Sequence, residues 1–175
     1  MKKYYSPIFI LIVIGLGLFL ILNRQDVQVS PSPAPSTEIS LTRVTRVIDG
    51  DTIEVESGDK VRYIGINTPE MGSSECYAQE ATSEDKLLVL GKTVRLEKDV
   101  SETDKYGRLL RYVYVQDPVG FPGQEIFVNK YLVSMGYATI MTVPPDIKYK
   151  NSFADSQNLA KENNLGLWSK CLKPI

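Results

Sequence analysis

The stretch Val47–Glu70, VIDGDTIEVESGDKVRYIGINTPE, is the segment from which the fold of this chain is predicted. Its apolar residues alternate with polar ones, which is the period-two pattern of half-buried strands. Turn signals at the DGD of residues 49–51 and at Gly58 divide it, so the pattern predicts a three-stranded meander. The predicted strands lie around Val44–Ile48, over Thr52–Glu56 and over Val61–Ile66.

Two charged residues fall on the predicted core side of this meander. Residues two apart in a strand share a face, so Asp51 shares a face with Ile53, and Arg62 shares one with Ile64. A carboxylate and a guanidinium that both point inward are costly unless they are paired or bind something charged. Two interpretations stay open at this point: a structural ion pair at a barrel rim, or a cation site beside an anion clamp.

The rest of the chain predicts two more strands and three helices. Apolar periodicity and turn residues place a helix between the third and fourth strands, which is an OB-like order. The predicted fold class is therefore α+β, a five-stranded OB-fold barrel with three helices, preceded by an N-terminal transmembrane or signal segment. The further predicted elements are a helix over Ala78–Leu90, strands over Thr93–Glu97 and Leu109–Val115, and helices over Ile126–Met135 and Lys148–Asn164.

The N-terminus carries a membrane-type segment. Residues 1–23 open with two lysines and contain the unbroken apolar or glycine run Ile8–Leu22, which would span about 22 Å as a helix. We favour an uncleaved anchor over a cleaved signal peptide, because the small residues that cleavage needs lie among prolines. Residues 24–40 are a Pro/Ser-rich linker, and residues 41–175 are the predicted domain, placed outside the cytoplasm by the positive N-terminus.

Composition excludes several kinds of chemistry. The chain of 175 residues has no histidine, which removes His-dependent triads and Zn–His sites. From Leu41 onward it has 17 Lys and Arg against 19 Asp and Glu, so it does not coat nucleic acid by bulk charge. Any contact with phosphate must come from a local cluster.

The residues that remain fit phosphodiester chemistry. The oxygen ligands of DGD and NTPE lie at the ends of adjacent strands and suit a Ca²⁺-type ion. Arg62 and Arg108 supply planar forks that match phosphate oxygens. Glu70, held by Pro69, is the carboxylate placed to orient or deprotonate a water molecule. The set predicts phosphodiester hydrolysis without histidine.

Four motifs together resemble the thermonuclease (staphylococcal nuclease-like) family: VIDGDT, the Arg62 strand with GINTPE, TDKYGR at residues 103–108, and GLW near the end. The resemblance runs from about Val44 to Trp168. It implies an OB-fold barrel with three helices and a Ca²⁺-dependent nuclease that cuts DNA and RNA and leaves 3′-phosphate ends.

The resemblance also implies roles for individual residues. Asp51 falls on a carboxylate metal ligand and Thr68 on a ligand that offers its main-chain carbonyl. Glu70 falls on the carboxylate that positions the attacking water, and Arg62 and Arg108 fall on the phosphate-binding and transition-state arginines. The positions that contact a neighbouring phosphate are Lys105 and Tyr106.

The chain departs from the family pattern in two places. Asn67 stands where the family has a second aspartate ligand; its amide oxygen still binds Ca²⁺, but one negative charge is lost, so we expect weaker affinity. The stretch GYATIMTVPPD lacks the tyrosines that similar nucleases place there to stack a base, and Tyr149 is the candidate substitute.

The two cysteines favour a disulfide. Outside the cytoplasm thiols oxidise, and a bridge between Cys76 and Cys171 would hold the C-terminus beside the active-site loop. The alternative is two unrelated buried or free thiols.

The sequence therefore predicts a monomeric, membrane-tethered extracytoplasmic nuclease that uses Ca²⁺ and acts on DNA and RNA, without an obligatory protein partner. Secretion after signal cleavage is the alternative location. A non-catalytic nucleic-acid-binding module of the same OB-like fold is the alternative function, with chemistry lost through Asn67.

Overall fold

The computed structural model describes residues 39–118, 120 and 123–171. The predicted membrane segment (1–23) and most of the linker lie outside these residues. Among the helices of the described part, none has the length and apolarity that a bilayer span requires.

The strands are β1 Ile39–Asp49, β2 Thr52–Val55, β3 Lys60–Tyr63, β4 Gly65–Asn67, β5 Thr93–Glu97, β6 Leu109–Gln116, β7 Glu125–Phe127 and β8 Thr139–Met141. The helices are α1 Ala78–Val89, α2 Val128–Ser134, α3 Lys150–Glu162 and the single turn α4 Leu167–Lys170, with a 3₁₀ turn at Met71–Ser73.

Five strands close into a barrel. The hydrogen-bonded order is β3-β2-β1-β5-β6, and a parallel pairing of β3 with β6 joins the two ends. The long strand β1 serves both halves: its first part, to Arg43, pairs with β5, and its second part, from Val44, pairs with β2. This closed barrel with helices confirms the predicted α+β class.

The core lies inside the barrel and beneath the helices. The side chains of Val44, Ile53, Val61, Val94 and Val113 are fully buried. Val44, Val61 and Val94 alternate with polar neighbours along their strands, so the period-two pattern selects the buried face there. In β6 the neighbours of Val113, Tyr112 and Tyr114, are buried as well.

The third predicted strand is interrupted in the structure. Val61–Ile66 was expected to be continuous, but the backbone breaks between β3 and β4, where Gly65 has φ +82°. A Cβ at Gly65 would lie 2.5 Å from the Phe153 ring, so the break brings the chain against α3. As a result β4 leaves the barrel and pairs with β8.

Two helix predictions need correction. The segment Ile126–Met135 was expected to be one helix, but its first residues belong to β7, which pairs with β6, and α2 begins only at Val128. In α1, apolar spacing predicts an inward face made of Ala81, Leu87, Leu88 and Leu90, yet Leu87 is 74% exposed and Leu90 is 45% exposed. The buried face of α1 instead carries Ala81, Asp85 and Leu88.

A buried asparagine fixes the end of the meander to the helical layer. The Asn129 side chain of α2 is fully buried; its Oδ1 accepts from the Val113 amide at 2.9 Å and its Nδ2 donates to the Ile64 carbonyl at 2.9 Å. It therefore satisfies one backbone group between β3 and β4, at Ile64, and one in β6, at Val113.

Candidate active site

Asp51 is the buried centre of the site. It follows the tight turn after β1, where the Asp49 side chain accepts a hydrogen bond from the Asp51 amide at 3.1 Å. Its side chain is 2% exposed, and its Oδ2 accepts from the Thr68 amide at 2.7 Å. A Cβ at Gly50 would lie 2.9 Å from the Thr68 side chain, so glycine in this turn permits the close approach of the two segments.

Arg62 joins Asp51 to Asn67. Its Nη1 lies 3.0 Å from Asp51 Oδ2 and donates to the Tyr63 carbonyl at 3.1 Å, and its Nη2 donates to Asn67 Oδ1 at 2.9 Å. The Arg62 residue is 9% exposed. The inward-facing charges that strand parity predicted therefore meet as an ion pair.

Burial controls the ionisation of Asp51. It raises the pKa of Asp51 to about 6; the Arg62 guanidinium acts in the opposite direction, and the neighbouring Asp49 adds to the rise. Burial prevails because it weakens the hydration of the carboxylate, and one guanidinium replaces that hydration only in part. The site without a bound cation therefore disfavours the ionised form of this carboxyl group.

Asn67 and Thr68 supply oxygen atoms next to Asp51. Asn67 ends β4, where its carbonyl accepts from the Thr139 hydroxyl of β8 at 3.2 Å. The Asn67 Nδ2 donates to the Thr68 carbonyl at 3.2 Å, and the Thr68 residue is buried. A carboxylate, an amide oxygen and a main-chain carbonyl thus come together on two adjacent turns.

Glu70 lies on the exposed loop that follows Pro69. Among the described residues, no hydrogen bond or ion pair links its carboxylate to Asp51, Arg62 or Arg108. Its carboxylate is accordingly available to a water molecule from solvent.

Arg108 is held by the loop that precedes β6. Asp104 accepts from the amides of Tyr106 and Arg108, at 2.9 and 3.0 Å, and its Oδ2 lies 2.7 Å from Arg108 Nε. Gly107 completes the turn with φ +78°. The contact with Asp104 is made by Nε of Arg108.

A cleft connects the two arginines. It has a volume of about 160 Å³, and Arg62 and Arg108 contribute to its wall together with the aliphatic side chains of Met141 and Val143. Tyr106 lies on the same loop as Arg108 and is 72% exposed, with Lys105 Nζ 4.9 Å from its ring centroid. The structure therefore joins Asp51, Arg62, Asn67 and Thr68 by direct contacts. Arg108 shares the wall of the cleft with Arg62, and Glu70, Lys105 and Tyr106 lie on exposed loops.

A family model described as staphylococcal nuclease homologue matches residues 60–170. The chain belongs to the staphylococcal nuclease family. A thermonuclease of Staphylococcus hyicus is 36% identical over 134 residues, which cover 73% of this chain and 75% of the relative. Two proteins of Bacillus subtilis strain 168 are each 38% identical over 133 residues, or 71% of this chain. They are the endonuclease YncB, of which 60% is covered, and the SPbeta prophage-derived endonuclease YokF, of which 43% is covered.

The donor atoms of this staphylococcal nuclease-family site fit a calcium ion. The described residues contain no cluster of three His, Cys, Asp or Glu side chains that could hold a metal by themselves. One carboxylate, one amide oxygen and one main-chain carbonyl are nevertheless hard oxygen donors, and Ca²⁺ completes its shell with water.

Three carboxylates near the site were not predicted from the sequence. Asp85 of α1 is fully buried and accepts from the Tyr63 hydroxyl, with the two oxygens at 3.0 and 3.3 Å. Asp146 accepts from two amides of the loop that carries Arg108, those of Val100 and Ser101, at 2.9 and 2.8 Å. The third, Asp99, accepts from the Lys148 amide and the Tyr112 hydroxyl. The sequence carried no local signal for these roles, because every partner is distant along the chain.

Tyr149 does not line the cleft. Its hydroxyl donates to Glu97 at 2.9 Å and lies 3.1 Å from the Tyr114 hydroxyl, and its ring meets Tyr112 edge-on at 4.6 Å. The side chain is thus part of an aromatic cluster against β5 and β6. The expectation that Tyr149 substitutes for a base-stacking tyrosine stays a prediction, and the structure places its ring in this cluster.

The two cysteines form a disulfide in the structure, with the sulfur atoms 2.06 Å apart. Cys76 precedes α1 and Cys171 follows α4, so the bridge links the loop that carries Glu70 to the end of the described chain. This is the pairing that the sequence favoured over two separate thiols.

Proposed function

We propose that this chain is a Ca²⁺-dependent nuclease that hydrolyses phosphodiester bonds of DNA and RNA, leaves 3′-phosphate ends and acts as a monomer outside the cytoplasm. The observation that carries the proposal is the convergence of Asp51, Arg62 and Asn67 beside a cleft that Arg108 also lines. Membership of a family whose relatives are named thermonucleases and endonucleases supports it.

The proposed metal ligands are Asp51, Asn67 and the Thr68 carbonyl. When bound there, Ca²⁺ supplies positive charge that neutralises a phosphate oxygen and favours attack on phosphorus. The protein holds these donors in place, because the Thr68 amide donates a hydrogen bond to the buried Asp51 carboxylate.

The reaction itself is assigned to three side chains. Glu70 orients a water molecule and takes its proton while the water oxygen bonds to phosphorus. The bond from phosphorus to the 5′-oxygen breaks, the departing oxygen takes a proton from solvent, and the phosphate stays on the 3′-oxygen. Arg62 and Arg108 stabilise the added negative charge of the five-coordinate transition state.

The proposed location rests on two features. The N-terminal residues carry lysines followed by an apolar run, which predicts a membrane segment with the domain outside. The disulfide suits an oxidising environment. Protease treatment of intact cells tests this: digestion of the domain is expected, and protection until lysis would contradict it.

Chelation and one substitution test the activity. Full-length chain in detergent is expected to cleave single-stranded DNA and RNA with Ca²⁺ and to stop when a chelator is added. The products should resist extension by a polymerase until a phosphatase removes the 3′-phosphate. Glu70→Gln should lower kcat by about 10²-fold or more with little change in substrate affinity. Glu162→Gln, at the exposed end of α3, is the matched control.

Asn67 favours one rival, a nucleic-acid-binding module. The amide carries no charge and already accepts a hydrogen bond from Arg62. A correctly folded chain that binds single-stranded DNA but shows no chelator-sensitive cleavage would establish the rival. Equal losses of kcat and affinity in Glu70→Gln would contradict the role assigned to Glu70.

A further inference from the structure

The loop between Glu70 and Cys76 is closed by a carboxylate that neither the predicted site nor the family resemblance uses. Glu75 Oε2 accepts from the Glu70 amide at 3.0 Å, and its Oε1 accepts from the Ser73 hydroxyl at 3.0 Å. In the opposite direction, the Glu75 amide donates to the Glu70 carbonyl at 3.3 Å. Both backbone polar groups of Glu70 are therefore engaged within its own loop.

Both ends of this loop are fixed to rigid parts of the molecule. Before it, the Thr68 amide is bound to the buried Asp51, and Pro69 restricts the next step of the backbone. After it, Cys76 is bonded to Cys171, and the Ala78 amide at the start of α1 donates to the Glu75 carbonyl at 3.1 Å. Between these anchors, the Glu75 carboxylate accepts from the Glu70 amide, while the Glu75 amide and the Ser73 hydroxyl, each at 3.3 Å, donate to the Glu70 carbonyl.

The two glutamates of the loop differ in what their carboxylates do. Both oxygens of Glu75 accept hydrogen bonds from the loop itself, whereas the Glu70 carboxylate has no partner among the described residues. A carboxylate whose lone pairs are used in this way orients backbone and is poorly suited to accept a proton from water. The geometry thus separates one supporting carboxylate from one available carboxylate.

We propose that Glu75 is a positioning residue for Glu70: its carboxylate fixes the Glu70 backbone so that the Glu70 side chain reaches the water at the phosphate. This inference rests on the proposed nuclease function. Catalysis needs the water-activating group in place before the reaction, and small displacements of such groups are costly. An exposed loop without this closure would sample many orientations of Glu70.

Kinetics of full-length chain in detergent test the role. Glu75→Ala removes the acceptor and is expected to lower kcat about tenfold while KM changes less than about twofold. Glu75→Gln keeps an oxygen acceptor for the Glu70 amide and should return kcat to within about threefold of the unmodified chain. Glu162→Ala removes the same charge from the end of α3 and should leave kcat unchanged.

A second measurement does not depend on activity. Hydrogen exchange at the Glu70 amide should become at least about fivefold faster in Glu75→Ala, and slow again in Glu75→Gln, while amides of the β-barrel keep their rates. If the unmodified chain shows no cleavage, the proposed function fails. The hydrogen-exchange rate of the Glu70 amide still decides whether the Glu75 carboxylate fixes the Glu70 backbone.

Three results would overturn the inference. Unchanged kcat in Glu75→Ala would show that Glu70 is positioned without Glu75. A Glu75→Gln chain as slow as Glu75→Ala would show that the negative charge matters and the acceptor does not. Unchanged exchange at the Glu70 amide in Glu75→Ala would show that the hydrogen bond does not hold the backbone.

Discussion

Replacing the buried Asp85 by asparagine should change how stability depends on pH. Asp85 is fully buried on α1, and the Tyr63 hydroxyl is its hydrogen-bond partner. Burial raises the pKa of the Asp85 carboxyl group well above its ordinary value of 3.8. The Tyr63 hydrogen bond acts in the opposite direction, and the nearby charges of Asp51, Asp49 and Glu84 add to the rise.

The sign follows from proton linkage. The folded state holds the Asp85 proton more tightly than the unfolded state, so this group contributes its full stability below pH 3.8 and loses it as pH rises through the folded pKa. Across that window the free energy of unfolding falls by about 1.4 kcal/mol per pH unit. Asparagine keeps a carbonyl oxygen for the Tyr63 hydroxyl and has no proton to lose. The variant should therefore gain stability relative to the unmodified chain as pH rises.

Urea unfolding in the presence of chelator measures this difference. The compact unit Thr37–Ile175 is the suitable protein, and Asp85→Asn is compared with the unmodified unit between about pH 5 and about pH 8. The two plots of unfolding free energy against pH should diverge. Parallel plots would refute the reasoning, because they would mean that folding leaves the pKa of Asp85 unchanged. Tyr63→Phe, which removes only the donor, should cost about 1–3 kcal/mol.

Two further substitutions test the metal site and the strand break. Asn67→Asp restores a carboxylate beside Asp51 and should tighten Ca²⁺ binding about tenfold in titration calorimetry; weaker binding would exclude Asn67 as a ligand. Gly65→Ala should lower the free energy of unfolding by about 3 kcal/mol in urea, because the new Cβ meets the Phe153 ring at a positive φ. Gly58→Ala, at φ +88° with open space around it, isolates the backbone strain and should cost only about 1 kcal/mol.

The features that sequence predicted well are those that short-range periodicity decides. Strand parity placed Asp51 and Arg62 on one side of the meander, and the structure shows them 3.0 Å apart. The period-two pattern also located β2 and β5 with nearly correct ends. In each case the informative residues are neighbours in one strand, so no knowledge of the rest of the fold was needed.

The features that sequence missed depend on contacts between distant segments. The break at Gly65 exists because Phe153 of α3 packs there, 88 positions further along the chain. The hydrogen bond from the Tyr149 hydroxyl to Glu97 of β5 joins residues 52 positions apart, and no local pattern predicts it. Apolar residues do recur at helical spacing in residues 126–135, but the first of them pair with β6 and form the end of β7. Tertiary contacts of this kind override local preference.

The net charge of the chain is near zero, yet this is compatible with phosphate binding. The two arginines of the site are each paired with a carboxylate, so their charge does not appear in the net charge. Arg62 lies against Asp51, and Arg108 against Asp104. In each pair the carboxylate cancels the arginine in the net charge of the chain. The same contact holds the planar guanidinium in a defined orientation. Arg62 uses at most three of its five N–H groups on Asp51, the Tyr63 carbonyl and Asn67, so N–H groups remain for a phosphate. Phosphate binding at this site therefore depends on donors that the local network leaves unused, and the charge of the whole chain says little about its strength.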